Sequence, residues 1–109
     1  MAYTAEYRDW VLEQLRHLGP VTARGMFGGA GLYCDGLFFA LIAEDTVYFK
    51  VDDSNRGDFE AAGTEPFRPY GDDRAMGYYE VPADVLEDPD RLREWAEKAL
   101  AVARRKRRK

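Results

Sequence analysis

The stretch over residues 24–51, RGMFGGAGLYCDGLFFALIAEDTVYFKV, decides the fold. Asp35-Gly36 separates two apolar runs, the strongest short-range hairpin signal a sequence carries. Glu44-Asp45 marks a second, weaker reversal. The pattern predicts a three-stranded antiparallel meander over 24–34, 37–43 and 46–51. Side chains alternate across a strand, so the turns set a register. A two-residue turn at Asp35-Gly36 places Cys34 opposite Leu37, Tyr33 opposite Phe38, Leu32 opposite Phe39 and Gly31 opposite Ala40. The second reversal places Ile42 opposite Val47, Leu41 opposite Tyr48, Ala40 opposite Phe49 and Phe39 opposite Lys50. One face then carries Tyr33, Phe38, Ala40, Ile42, Val47, Phe49 and Val51 with Gly29 and Gly31. It has no charge and is assigned to the core, with the glycines leaving room for a helix to approach. The other face carries Leu32, Cys34, Leu37, Phe39, Leu41, Tyr48 and Lys50. It is too apolar for a plain solvent face.

On the N-terminal side, residues 4–18 read as a helix. Tyr7, Trp10, Val11, Leu15 and Leu18 fall on one face, Thr4 suits the N-cap, and Gly19-Pro20 ends the helix. On the C-terminal side, Asp52-Asp53-Ser54 is a capping cluster before a short helix over 53–62, and Gly63 stops it. Gly57 inside that helix costs roughly 1 kcal/mol against Ala. Strands follow over 66–70, at the sheet edge because of Pro69, and over 75–81, joined by a turn at 71–74. A single helical turn covers 82–86. Asp88 as N-cap and Pro89 at the first helical position open a final helix with Leu92, Trp95, Ala96, Ala99, Leu100 and Ala103 as its stripe. The order α-β-β-β-α-β-β-α predicts an α+β two-layer sandwich, an antiparallel sheet of about five strands with helices mainly on one face.

A chain of 109 residues forms one domain, here residues 1–103, followed by a basic C-terminal tail, 104–109. Sixteen basic and 20 acidic residues give a net charge of −4. The last six residues are all basic, so the body keeps ten basic residues against 20 acidic ones. An acidic body with a basic tail is not a uniformly basic nucleic-acid binder. No apolar run reaches about 18 residues, and the N-terminus lacks a signal-peptide core. One cysteine cannot form an internal disulfide. These features lead to the expectation of a cytoplasmic protein with no membrane partner.

The glycine cluster fails both phosphate fingerprints. Cys34 stands where a dinucleotide motif needs its third glycine, and Leu37-Phe38 follow where a P-loop needs Lys and Ser/Thr. Close packing or a bulge is the plainer explanation. Cys34 and His17 are the only residues of their types, too few for a four-ligand zinc site. The carboxylates sit at caps and turns. Phe67, Tyr70, Tyr78 and Tyr79 form an aromatic cluster that, without interleaved cations, fits packing or a protein interface better than base stacking. No catalytic, cofactor or metal residue is assigned. Arg104, Arg105, Lys106, Arg107, Arg108 and Lys109 would attract phosphate, or neutralise part of the acidic body.

The segments TARGMFGGAGLY, DGLFFALI, VYFKVDDSNRGDFEAAGTEPF and YYEVPADVLEDPDRL together resemble the N-terminal domain of the TfoX/Sxy proteins. The matched positions include Arg24, Met26, Phe27, Gly28, Gly29 and Gly31, Phe39-Ala40, Lys50, Asn55-Arg56, Phe59, Gly63, Pro66-Phe67 and Tyr79-Glu80-Val81-Pro82. The resemblance runs over residues 5–103. It implies an α+β fold and a role in regulating bacterial competence genes, where full-length members act with the cyclic-AMP receptor protein. It supplies no catalytic residues. Full-length members have a second domain where this sequence ends in a basic tail, and many carry Pro at the position of Gly57.

Three functions follow as expectations. The first is a non-enzymatic interaction domain linked to transcription, with Leu32, Leu37, Phe39, Leu41 and Tyr48 as the face for a protein partner or a second copy. The second is nucleic-acid binding through Arg104–Lys109. The third is a small-molecule or enzymatic role near Tyr33, Cys34 and the tyrosines.

Overall fold

The computed structural model describes residues 3–26, 28–67 and 77–107, with the side chains of Met26 and Arg107 excepted. Helix α1 spans Ala5–Gln14 and tightens into a 3-10 turn at Leu15–His17. Thr4 caps it, its Oγ1 accepting from the Tyr7 amide at 3.0 Å. The Thr4 amide in turn donates to Asp45 Oδ1 at 2.9 Å, which pins the helix start to a hairpin of the sheet. Gly19, at φ 122, ends the segment in a conformation that side chains disfavour. Val11 and Leu15 are buried, whereas Trp10, expected on the same face, is 39% exposed.

Five strands follow the order β1 (Val21–Met26), β2 (Gly29–Cys34), β3 (Leu37–Ala43), β4 (Thr46–Lys50) and β5 (Tyr78–Glu80). Neighbours in sequence are neighbours in the sheet, and every pairing is antiparallel. The short helices α2 (Arg56–Ala61) and α3 (Ala83–Leu86) flank β5 in sequence, and α4 (Pro89–Arg107) closes the fold. The architecture is the expected open five-stranded α+β sheet. The element order is α-β-β-β-β-α-β-α-α, with one strand more before α2 than the sequence reading placed there.

That extra strand comes from the glycine cluster. The segment 24–34 is two strands, because Met26 pairs with Gly29 and Gly28 adopts φ 77. The other two turns are as read. Asp35 and Gly36 have φ 53 and 77, and Glu44 and Asp45 both have φ 53. Positive φ at both central residues matches the right-handed strand twist. Of the expected strand over 66–70, Pro66 forms an isolated bridge to Tyr79, while 68–70 and the turn at 71–74 lie outside the described residues. The last strand is Tyr78–Glu80 within the described residues.

The register departs from expectation at one point. Tyr33 pairs with Phe38 and Cys34 with Leu37 as read, but Leu32 pairs with Ala40 and Gly31 with Leu41. Phe39 is therefore an extra residue of β3, a bulge. Phe39 and Ala40 both join the main core, so two consecutive side chains point to one side. Beyond the bulge the β3–β4 pairs of Ala40 with Phe49, Leu41 with Tyr48 and Ile42 with Val47 stand as read.

The bulge reassigns the faces. Leu32, Cys34, Leu37 and Phe39 join Ala40, Ile42, Val47, Phe49 and Val51 in one buried cluster with Val11, Leu15, Leu92, Ala96 and Ala99 of the helices. Tyr33 and Phe38 move to the opposite face. The expected approach of a helix over Gly29 also fails: a methyl there would strike the Ile42 carbonyl oxygen, so the close neighbour is strand β3.

Helix α4 carries the second layer. Asp88 Oδ1 accepts from the Asp90 amide at 3.1 Å and the Arg91 amide at 3.3 Å, the expected cap. Leu92, Ala96, Ala99, Leu100 and Ala103 are buried against the sheet. The helix continues past Ala103 to Arg107.

Candidate functional site

The face of the sheet away from the core cluster carries a different chemistry. Leu41, Ala43, Phe67 and Tyr78 form a separate buried cluster, with Phe38 and Tyr48 packed against it. Tyr33 stacks on Phe38 at 5.2 Å between ring centroids, Phe38 meets Tyr78 at 5.7 Å, and Tyr48 meets Phe67 at 4.8 Å. Cations close this aromatic row at both ends. The Arg24 guanidinium lies 5.7 Å from the Tyr33 ring centroid. Lys50 Nζ lies 4.8 Å from that of Tyr78 and 5.9 Å from that of Phe38. Strand pairing creates these neighbours: Arg24 is opposite Gly31, and Lys50 is opposite Tyr78.

Lys50 is the most constrained charge in the row. It is half-buried, and its Nζ donates to the Tyr78 hydroxyl at 3.1 Å. Burial, with the charge of Lys106 adding to it, holds its pKa below the ordinary lysine value. Burial pushes the Tyr78 phenol up to about 12, with Tyr33 contributing. Asn55 fixes the backbone just beyond Lys50. Its Nδ2 donates to the Lys50 carbonyl at 3.1 Å, and its Oδ1 accepts from the Asp52 amide at 2.9 Å. Asn55 is 2% exposed, a buried polar residue whose side chain is fully engaged. The sequence placed it in a helix and gave it no such role.

The expected partner face divides between the two sides. Leu32, Leu37 and Phe39 are buried under the helices and present no surface, because the bulge turns them inward. Leu41 is buried on the aromatic side, and Tyr48 is half-buried there. The accessible members of that face are Tyr33, Phe38, Tyr48 and Lys50, with Arg24 exposed at its margin. The aromatic cluster read from the sequence divides too. Phe67 and Tyr78 belong to this face, Tyr79 packs on Phe59 at 5.8 Å in the main core, and Tyr70 lies outside the described residues. Cations do interleave with the aromatics, which a register without the bulge concealed.

The lone cysteine and histidine stand apart. His17 Nδ1 is 3.1 Å from Asp90 Oδ1, at the start of α4. Cys34 feels the charge of Arg104, near its end. Those two positions of α4 are about 21 Å apart at 1.5 Å per residue. Burial raises the Cys34 pKa and Asp35 adds to this, against Arg104, so the thiol stays protonated and weakly nucleophilic. Tyr33 and Cys34 point to opposite faces and share no site. Among the described residues no group of three or more His, Cys, Asp or Glu could hold a metal ion.

The basic tail is partly spent within the molecule. Arg104, Arg105 and Lys106 are exposed on the last turns of α4. One Arg105 nitrogen bonds Asp52 Oδ2 at 2.9 Å and Ser54 Oγ at 2.7 Å. Burial alone would raise the Asp52 pKa, but the bonds from Ser54 and Arg105 outweigh it and bring it to about 2. Arg107 is described only as helical backbone, and Arg108 and Lys109 lie outside the described residues.

The fold and this face define a small α+β domain whose open sheet is covered by α4 on one side and bears a cation-flanked aromatic row on the other. The family model described as the TfoX N-terminal domain matches residues 13–103, and the chain belongs to that family. A comparison with curated proteins gave no match. No helix among the described residues is long and apolar enough to cross a membrane.

Proposed function

We propose that this chain is a non-enzymatic interaction domain that acts in transcriptional regulation from the cytoplasm. Its partner is a protein of the transcription apparatus, engaged through the face of Tyr33, Phe38, Tyr48 and Lys50. The observation that carries this reading is family membership over residues 13–103. The separation of Cys34 from His17 along α4 agrees with it. A row of half-buried aromatics with cations is also the composition that protein interfaces favour.

The test is binding of the purified chain to the cyclic-AMP receptor protein from the same cell, followed by a reporter driven by a promoter of that receptor. The reading expects a complex that Phe38→Ala and Tyr33→Ala weaken, and reporter output that follows complex formation. No complex and an unchanged reporter would overturn it. Self-association through the same face would appear as a concentration-dependent mass in the same preparation.

A second reading, nucleic-acid binding through Arg104–Lys109, is favoured by one observation. Arg104 and Lys106 are exposed and have no ion-pair partner among the described residues. Removing 104–109 would then abolish DNA affinity and its salt dependence.

A further inference from the structure

The two edges of the sheet are unlike. The edge at β5 is occupied. The Phe67 amide donates to the Tyr78 carbonyl at 2.7 Å, the Glu80 amide donates to the Glu65 carbonyl at 3.0 Å, and Pro66 bridges to Tyr79 between them. The edge at β1 is open: β1 pairs with β2 alone, and no other hydrogen bond from the described residues reaches it. It also carries little of what blocks strand addition. It holds no proline, its register with β2 runs unbroken, and its one charge, Arg24, lies over the Tyr33 ring. The turns fix which of its backbone groups face outward. Residues that flank a two-residue turn form a hydrogen-bonded pair, and such pairs alternate along a ladder. Met26 and Gly29 are one such pair, so Met26, Arg24 and Thr22 bond to β2. Cys34 and Leu37 flank the next turn, which commits Cys34 to β3 and Tyr33 to Thr22 of β1, in the same phase. The N–H and C=O groups of Val21, Ala23 and Gly25 therefore point away from the sheet.

We propose that β1 is the docking edge for a second copy of this chain, joined antiparallel about a twofold axis so that two five-stranded sheets become one. The strand is self-complementary in one register. Directly opposite residues share a face, so the axis falls level with one residue of each copy. An axis at Arg24 would set two guanidinium groups against each other. An axis at Thr22 would set Arg24 against Pro20 and leave Gly25 with no strand opposite it. An axis at Ala23 pairs Val21 with Gly25, Thr22 with Arg24, and Ala23 with its own copy. Every outward-facing residue is then used, for about six backbone bonds. Arg24 meets a threonine hydroxyl, and the half-buried Val21 and Ala23 meet small residues on the helical side. The aromatic faces of the two copies come to lie on one side of the joined sheet. This edge is separate from the face of Tyr33, Phe38, Tyr48 and Lys50, and the proposal does not rest on the interaction-domain reading.

The experiment uses the full chain. Sedimentation equilibrium up to about 0.5 mM should show a mass that rises with concentration toward that of a dimer. Amide hydrogen exchange over the same range should slow at Val21, Ala23 and Gly25 as the dimer forms. Thr22 and Arg24, already bonded to β2, should change little. Ala23→Pro removes an outward N–H without touching the ladder to β2, and should weaken association at least tenfold. Thr22→Arg brings a second cation against Arg24 of the other copy and should weaken association several-fold. Combining Thr22→Arg with Arg24→Thr exchanges the pair and should restore it. If Ala23→Pro does not fold, the exchange pattern and the exchanged pair decide the matter. A chain that stays monomeric to about 0.5 mM overturns the proposal and leaves the edge to a strand of another protein. A dimer that Ala23→Pro leaves intact, with the amides of Val21, Ala23 and Gly25 unprotected, overturns it as well.

Discussion

The two faces of the sheet use the same strands for different ends. The face under α4 is uniformly apolar: Leu32, Phe39, Ala40, Ile42 and Phe49 are all buried to completion. The opposite face buries Leu41, Ala43 and Tyr78 but keeps Tyr33, Phe38, Tyr48 and Lys50 partly in contact with solvent. One residue draws the boundary. The bulge at Phe39 lets Phe38 and Phe39 serve opposite layers and then puts Ala40 on the same side as Phe39. The difference teaches that the face under the helix is closed, whereas the cations and half-exposed rings of the other face keep contact with solvent.

The sharpest way to break this comparison is to truncate the two adjacent phenylalanines. Phe39→Ala opens a cavity in a fully enclosed site and should cost about 3–5 kcal/mol. Phe38→Ala removes a ring that is only partly out of water and should cost roughly 1–2 kcal/mol. Urea unfolding of the two variants measures both. Equal costs would mean that the faces are not divided at Phe39.

Two glycines give effects of opposite sign. Gly29→Ala drives a methyl against the Ile42 carbonyl and should destabilise by about 1–3 kcal/mol. Gly57→Ala meets nothing within 4 Å on α2 and should stabilise by about 0.5–1 kcal/mol. Melting temperatures check both signs.

The smallest effect concerns the clasp between α4 and the loop after β4. Asp52→Asn should cost about 0.5–1 kcal/mol, because both partners are partly exposed. The pH dependence follows from the depressed pKa, about 2 in the folded chain against an ordinary 3.8. The contribution is fully present above about pH 4 and is lost as pH falls through about 2. Stability curves of wild type and Asp52→Asn should therefore converge at the acid end. Curves that stay parallel would show that Asp52 does not hold Arg105.

Much of the fold was legible because local chemistry fixed it. Asp35-Gly36 and Glu44-Asp45 fold as the turns they encode, and Thr4 and Asp88 cap the helices they precede. The division of faces was not legible. In LFFALIA any register buries apolar side chains, so nothing local marks Phe39 as the extra residue. The hairpin at Gly28 was hidden as well, since the glycine cluster has no Asp-Gly or Asn-Gly signal and reads as one long strand. The expected partner face failed for the same reason: Leu32, Leu37 and Phe39 were displaced by the bulge, while Leu41 and Tyr48 kept their side. The role of Asn55 depends on contacts with Lys50 and Asp52 that appear only once the loop after β4 has closed.

The most direct test of the central claim, that the aromatic face is the working face, is a map of amide and side-chain chemical shifts. The labelled chain is titrated with the cyclic-AMP receptor protein from its own cell. The account predicts perturbations concentrated at Tyr33, Phe38, Tyr48, Lys50 and Tyr78. Perturbations confined to α1 and the solvent side of α4, with those five residues unmoved, would contradict it.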